Sequence, residues 1–328
     1  MTTPGNRNAL GNRSESEQRD WRPTAPVGVL RQRAELVERT RAFFRERGVL
    51  EVDTPVLQGG ANLDHGVVPM RVTIGSEVRF LPTSPEHPLK RLVASGCGDV
   101  WTLAPAFRAG ERGQRHAPEF RMLEWYRLGW DDRRLASEVI ALLATLTGWS
   151  DEHGIITWRD AFRTYAGIDP LTVDDATLIA RLGADAVVAN HDRRIALDLL
   201  LTRDIEPRLG RGRWTVLTDY PADQCAQARI RHAGDGTPVA ARFEIYRDGI
   251  ELANGYHELL DGRALRGRLE QELAARSSDE QLDERFLAAM ANGLPDCAGV
   301  AVGFDRVVML ALSLPDVGAT QAFTWGDA

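Results

Sequence analysis

Apolar positions at Leu30, Ala34, Val37 and Phe44, flanked by Leu36 and Phe43, recur every three to four residues and predict an amphipathic helix that stops at Gly48. A short strand, VLEV, follows it. Farther on the period changes to two: WTLAPAFR alternates as a strand does, a polar Gly-containing loop intervenes, and FRMLEWYR resumes the alternation. This is a hairpin with Arg108 at one foot. In its return strand Phe120, Met122, Glu124 and Tyr126 share one face, and Arg121, Leu123, Trp125 and Arg127 the other. A carboxylate among two aromatics and a methionine is costly to bury unless a cation or hydrogen-bond donor meets it, which points to a ligand site. A second hairpin, FEIYRDGIELANG, turns through Arg247-Asp248-Gly249, and GVAVGFDRVVML reads as a glycine-flanked strand entering a helix near Asp305. From Arg133 to about Asp223 the spacing is helical until WTVLTDYPA returns as a strand, and two more helices fall within 262 to 292. Residues 1 to about 26 are polar and unpatterned and read as a disordered tail before one domain, 27 to 328.

Composition narrows the class. With 43% apolar content, 328 residues can bury a sizeable core. No apolar run approaches the roughly 18 residues of a membrane span, and the N-terminus has no apolar signal region, so a cytoplasmic location is expected. Cys97, Cys225 and Cys297 are too few and too scattered for a disulfide framework or zinc cage, in keeping with a reducing compartment. A net charge of −7 argues against a broad nucleic-acid-binding face. Of the 40 basic residues only Lys90 is lysine.

Three stretches carry candidate chemistry. Thr83-Ser84-Pro85-Glu86 has the make-up of a helix N-terminus, with a capping hydroxyl, a proline in the first turn and a carboxylate suited to the dipole. In IELANGYHE, Glu251 and Glu258 lie seven residues apart, and a bend at Asn254-Gly255 would bring both to one locality. Two carboxylates there repel unless a metal or a proton intervenes. Gly299 and Gly303 allow a ligand close to the backbone, and Arg306 sits in the first turn of the helix that follows.

FRAGERGQRHAPEFRMLEWY resembles motif 2 of class II aminoacyl-tRNA synthetases, in the version found in lysyl-tRNA synthetases and their shorter paralogues. The helix, glycine, strand and Asp53-Thr54-Pro55 resemble motif 1, and GVAVGFDRVVML resembles motif 3. The resemblance implies an α+β fold, the class II synthetase core with an antiparallel sheet flanked by helices, a helical insertion over about 131 to 223, and a homodimer built on motif 1. It implies ATP as substrate, with Arg108 on the α-phosphate, Arg306 on the γ-phosphate, Phe120 stacked on adenine, and Ala109, Gly110, Glu111, Ala117, Leu252 and Gly303 around the nucleotide. Mg²⁺ would be held by Glu251 and Glu258. The amino acid would meet Ser84, Pro85, Glu86, Tyr126, Glu258 and Ala301.

LEWY, IELANGYHEL and GVAVGFDR look most like the elongation factor P lysine ligase family, whose members activate (R)-β-lysine and attach it to a lysine of elongation factor P. Ala301 agrees, since lysyl-tRNA synthetases have glycine there. Those synthetases also carry an OB-fold of roughly a hundred residues, which the stretch before the first helix cannot form, so no anticodon-reading contact with tRNA is expected. The chain departs from the family pattern at Ala109, Gly110 and Ala117, where asparagine, glutamate and asparagine are usual; Glu111 could substitute for the glutamate if the loop shifts. Lysine as the substrate, a free-standing enzyme acylating RNA or a small carrier, and a non-catalytic binding module are the alternatives.

Overall fold

The computed structural model describes residues 21–64, 66–189, 192–276 and 280–326. Most of the unpatterned stretch therefore lies outside the described residues, but its last part is built into the fold. The Thr24 and Ala25 amides donate to the carbonyls of Ala322 and Gln321 at 2.8 and 3.1 Å, and Ala25 is fully buried.

Helix α1 (Val27–Glu46) ends as expected before Gly48, whose φ is +67°. Strand β1 (Leu50–Glu51) leads to a small separate hairpin, β2 (Met70–Ile74) and β3 (Glu77–Leu81), and then to α2 (Glu86–Ala94). The first predicted hairpin is β4 (Val100–Phe107) and β5 (Glu119–Leu128). Helix α3 (Asp132–Thr147) follows, capped at its start by the Asp131 side chain and at its end by Gly148 in the left-handed region.

The predicted helical block contains a strand, β6 (His153–Thr157), as well as the short helices α4 (Trp158–Ala161), α5 (Asp175–Leu182), α6 (Ala186–Ala189) and α7 (Arg193–Leu200). After it come β7 (Trp214–Pro221), β8 (Ile230–His232), and the second hairpin of β9 (Pro238–Arg247) and β10 (Ile250–His257). Asp248 and Gly249 both have positive φ, as a two-residue hairpin loop requires. Helices α8 (Gly262–Ala275) and α9 (Glu284–Asn292), strand β11 (Cys297–Gly303) and helix α10 (Phe304–Ala311) complete the chain.

Nine strands form one sheet in the order β1-β4-β5-β11-β10-β9-β7-β6, with β8 on β9. The expectation of an antiparallel sheet needs amendment at its margins: β1–β4 and β6–β7 pair in parallel, and the other pairs are antiparallel. One face of the sheet builds the main core, where Leu123, Trp125, Val300 and Val302 pack with Phe44 of α1, Val139 and Leu143 of α3, and Val308 of α10. Helix α3 thus belongs to this central layer. Trp158, Phe162, Leu178 and Leu200 form a second cluster that reaches the sheet at Leu217 and Ala240. Beside the opposite face, α2, α8 and α9 form a third cluster around Leu89, Leu269 and Phe286.

Candidate active site

The sheet face turned away from the main core floors a cavity of about 710 Å³. Register sets its residues in rows. Glu124 of β5 is opposite Ala301 of β11, which is opposite Asn254 of β10, which is opposite Glu244 of β9; the next row runs Tyr126, Gly299, Tyr256, Arg242. All eight line the cavity. Small residues on the central strand make the hollow: a Cβ at Gly299 would lie 2.2 Å from Tyr126 Cε1 and 2.6 Å from Glu258 Oε1. Ala301 puts a methyl on this floor.

Glu251 reaches the same face by a device other than the expected bend. Residues seven apart on a regular strand point to opposite faces. Between Glu251 and Ala253 the β9–β10 register shifts, with Tyr246 and Ile245 as their consecutive partners, so Leu252 is an inserted residue. The bulge reverses the parity, and Glu251 joins Asn254, Tyr256 and Glu258 on the cavity wall. β10 runs on through Asn254 and Gly255.

At one end of the cavity two arginines converge. Arg306 donates from Nη1 to the Glu251 carbonyl at 2.8 Å, from Nε to the Arg115 carbonyl at 3.1 Å and from Nη2 to His116 Nε2 at 2.7 Å. Burial and the Arg306 charge push the His116 pKa down, consistent with a neutral ring accepting that bond. Arg108 lies over the Phe120 ring at 5.3 Å, with its Nη1 3.5 Å from Glu111 Oε1. Burial and Glu244 raise the Glu251 pKa, and Arg306 and Arg108 oppose the rise.

The other end is a carboxylate cluster. Lys90 is buried, and its ammonium meets Glu86 Oε1 at 2.6 Å, Glu258 Oε2 at 2.7 Å and Gln227 Oε1 at 2.9 Å. Although burial disfavours its charge, Glu258 and Glu86 hold the Lys90 pKa above the ordinary value. Glu124 accepts from Ser84 Oγ at 2.6 Å and from the Tyr126 hydroxyl at 2.9 Å. Burial, then repulsion from Glu86, push Glu124 up to about 8. Glu258 is pushed up to about 7, chiefly by burial, and its Oε1 is buried without a hydrogen-bond partner. Ser84 Oγ also accepts from the Glu86 amide at 3.1 Å, although the N-cap position of α2 falls at Pro85 and not at the expected hydroxyl residue.

Most expected site residues line this cavity: Ser84, Glu86, Arg108, Glu111, Ala117, Phe120, Tyr126, Glu251, Leu252, Glu258, Ala301, Gly303 and Arg306. Pro85, Ala109 and Gly110 are not among its lining residues. Pro85 precedes α2, the Ala109 amide donates to the Val68 carbonyl at 2.9 Å, and Gly110 turns the loop at φ +81°.

The shared metal site needs correction. Glu251 and Glu258 lie on one wall, but seven residues of strand separate them by roughly 20 Å, too far for one cation. Glu258 also has its charge met by Lys90. Glu251, beside both arginines and close to Glu244, is the carboxylate that would hold Mg²⁺ at the phosphate end. Among the described residues no group of three or more His, Cys, Asp or Glu side chains is arranged to hold a metal alone.

Asp64, Lys90, Asn254 and Tyr256 were not assigned to the site from sequence; Glu124 was read there as the carboxylate on a ligand-facing strand, without a role. Glu86 and Lys90 stand four apart on one helix, a spacing that signals a pair. Asn254 and Tyr256 alternate with Glu258, and only the bulge obscured their relation to Glu251.

Comparison with known proteins agrees with this geometry. The family described as tRNA synthetases class II (D, K and N) matches residues 13–325. A protein of Klebsiella pneumoniae (strain 342) named elongation factor P--(R)-beta-lysine ligase is 42% identical over 323 residues, covering 94% of this chain and 98% of that one. A protein of the same name from Salmonella gallinarum (strain 287/91 / NCTC 13346) is 40% identical with the same coverage. Matched along nearly its whole described length, and with the sheet, the two arginines and the carboxylate pocket in place, the chain belongs to the class II tRNA synthetase family, in the branch of the elongation factor P–(R)-β-lysine ligases.

Proposed function

We propose that this chain is an ATP-dependent ligase that activates (R)-β-lysine as an acyl-adenylate and transfers it to a lysine side chain of elongation factor P. The observation that carries the proposal is the cavity's polarity. Arg108 and Arg306 stand at one end, and Glu86, Glu124 and Glu258 share a single built-in ammonium at the other. A substrate with a carboxylate at its head and an ammonium at its tail fits this cavity in one direction only.

Set that way, the substrate carboxylate faces the phosphate end. Its oxygen attacks the α-phosphorus, the bond to the bridging oxygen breaks, and pyrophosphate leaves with the electron pair. Arg108 neutralises charge on the α-phosphate, Arg306 holds the γ-phosphate, and Phe120 gives the adenine a stacking face. Glu111, 3.5 Å from Arg108 and one residue on from the family's adenine-contacting glutamate, is the candidate to replace it. Mg²⁺ held at Glu251 would add charge neutralisation on the phosphates. Glu124, Tyr126 and Glu258 hold the distal ammonium, so orientation supplies much of the rate. The acceptor amine then attacks the acyl carbon, AMP leaves, and the amine sheds a proton.

Incubation with ATP, (R)-β-lysine, elongation factor P and bulk tRNA tests the acceptor. A mass gain of one β-lysyl group on the protein and no acylated RNA is expected; acylation of RNA alone contradicts the proposal. The edge position of β1 with the exposed Leu50, Val56 and Leu57 supports a homodimer through this margin, which sedimentation velocity checks.

A further inference from the structure

The loop between β1 and β2 contributes Leu63, Asp64 and Val67 to the cavity wall. Its backbone is held in place. Arg276 donates to the Asp64 carbonyl and, at 3.0 Å, to the Val67 carbonyl, while the Val68 carbonyl accepts from the Ala109 amide next to Arg108. At the other side Ala61 N–H donates to the Gln281 carbonyl at 3.3 Å, and a Cβ on Gly60 would lie 2.6 Å from Asp283 Cα, so the loop packs directly on the start of α9. Asp64 is therefore carried by an anchored backbone.

Its surroundings span both ends of the cavity. Burial and the Glu86 carboxylate raise the Asp64 pKa, while Arg108, His87 and Lys90 pull it down. Asp64 lines the cavity on the loop whose Val68 carbonyl is bonded to the amide next to Arg108, which sets it on the wall near the arginine end, and its carboxylate feels both Arg108 and Glu86.

Substrate geometry gives that place a role. The carboxyl carbon must lie against Arg108 for its oxygen to reach the α-phosphorus. An amine on the third carbon is two carbons farther in, and an amine on the sixth is three beyond that. Glu124 and Glu258, on the far rows of the sheet, suit the outer ammonium. Glu86 Oε1, like Glu258 Oε2, is bonded to Lys90, and Asp64 adds a carboxylate to the cavity from a separate loop. We infer that Asp64 is a specificity residue for the amine on the third carbon, its carboxylate pairing with that ammonium and so selecting a β-amino acid. This rests on the ligase function proposed above.

The test is Asp64→Asn, which keeps the side chain's shape and removes its charge. Amino-acid-dependent ATP–pyrophosphate exchange is measured with (R)-β-lysine, and 6-aminohexanoate, which lacks the inner amine, is measured as a competitive inhibitor. For Asp64→Asn, kcat/KM for (R)-β-lysine falls about 10- to 100-fold, mainly through KM, with the KM for ATP unchanged. The inhibition constant of 6-aminohexanoate stays within about twofold of the parent value, since the lost partner never touched it. An equal loss for both compounds marks a merely structural residue and overturns the inference, as does an unchanged KM for (R)-β-lysine. If the unmutated protein gives no exchange with (R)-β-lysine, the ligase assignment itself fails, and the inference with it.

Discussion

Lys90 is the chain's only lysine, and it is placed where two carboxylates would otherwise face each other in a buried pocket. Its ammonium has three hydrogens and meets three acceptors, Glu86, Glu258 and Gln227. Lys90→Met removes the charge and leaves both carboxylates uncompensated, so urea denaturation should show a loss of about 3–5 kcal/mol. Adding Glu258→Gln should return part of it, because one of the stranded charges is then gone. The cluster also sets a pH dependence. Glu124 at about 8 and Glu258 at about 7 in the folded protein lie above ordinary glutamate values. The native state thus binds more protons than the unfolded one between about pH 5 and 8, and the stability of the free protein falls as pH rises through that window. An ammonium ligand needs the carboxylates ionised, so binding near pH 7 releases protons. Calorimetry in buffers of different ionisation enthalpy should detect that release, and the KM for the amino acid should fall from pH 6 to 8.

Among the elements, β10 illustrates how far a sequence can be read. Its hairpin partner and its turn at Asp248-Gly249 followed from pattern and glycine chemistry. The inserted Leu252 did not, because a bulge has no signature in an alternating apolar run when the extra residue is itself apolar and buried. Strand β6 was hidden for a related reason: five residues, HGIIT, between helical stretches are too short to display a period. The hairpin of β4 and β5 was legible, including the face that carries Glu124 and Tyr126, because each strand is long enough to alternate four times. Asp64 was not legible, since a loop residue has no periodic neighbours and its place depends on the distant Arg276. Packing along β10 is close. A Cβ at Gly255 would lie 2.4 Å from the Phe243 ring and 3.0 Å from the Gly299 carbonyl. Gly255→Ala should cost about 1–3 kcal/mol in chemical denaturation, as overpacking of a filled interior does.

For the molecule as a whole, the sheet separates two jobs. One face is sealed by α1, α3 and α10 and supplies stability; the other is kept hollow by Gly299, Ala301 and Gly303 and supplies chemistry. Helix α1 also touches the chemical side, since Arg33 meets Asp305 at 2.6 Å next to Arg306. Among the described residues no helix is long and apolar enough to cross a membrane. The end of β4, strand β10 and helix α10, far apart in sequence, bring Arg108, Glu251 and Arg306 to one cavity, so removing one of the arginines should cripple the first chemical step and spare the fold. Arg306→Ala is expected to lower the exchange kcat by about 10²–10³, with a melting temperature near that of the parent.

Amino-acid-dependent ATP–pyrophosphate exchange, run across a panel of amino acids with the unmutated protein, reaches the central claim most directly, because it requires the arginine end and the carboxylate end to act on one substrate at once. Exchange with (R)-β-lysine well above that with (S)-lysine, and none with amino acids that lack a distal amine, is the predicted result. Exchange with no member of the panel, or equal exchange with a neutral amino acid such as leucine, would contradict it.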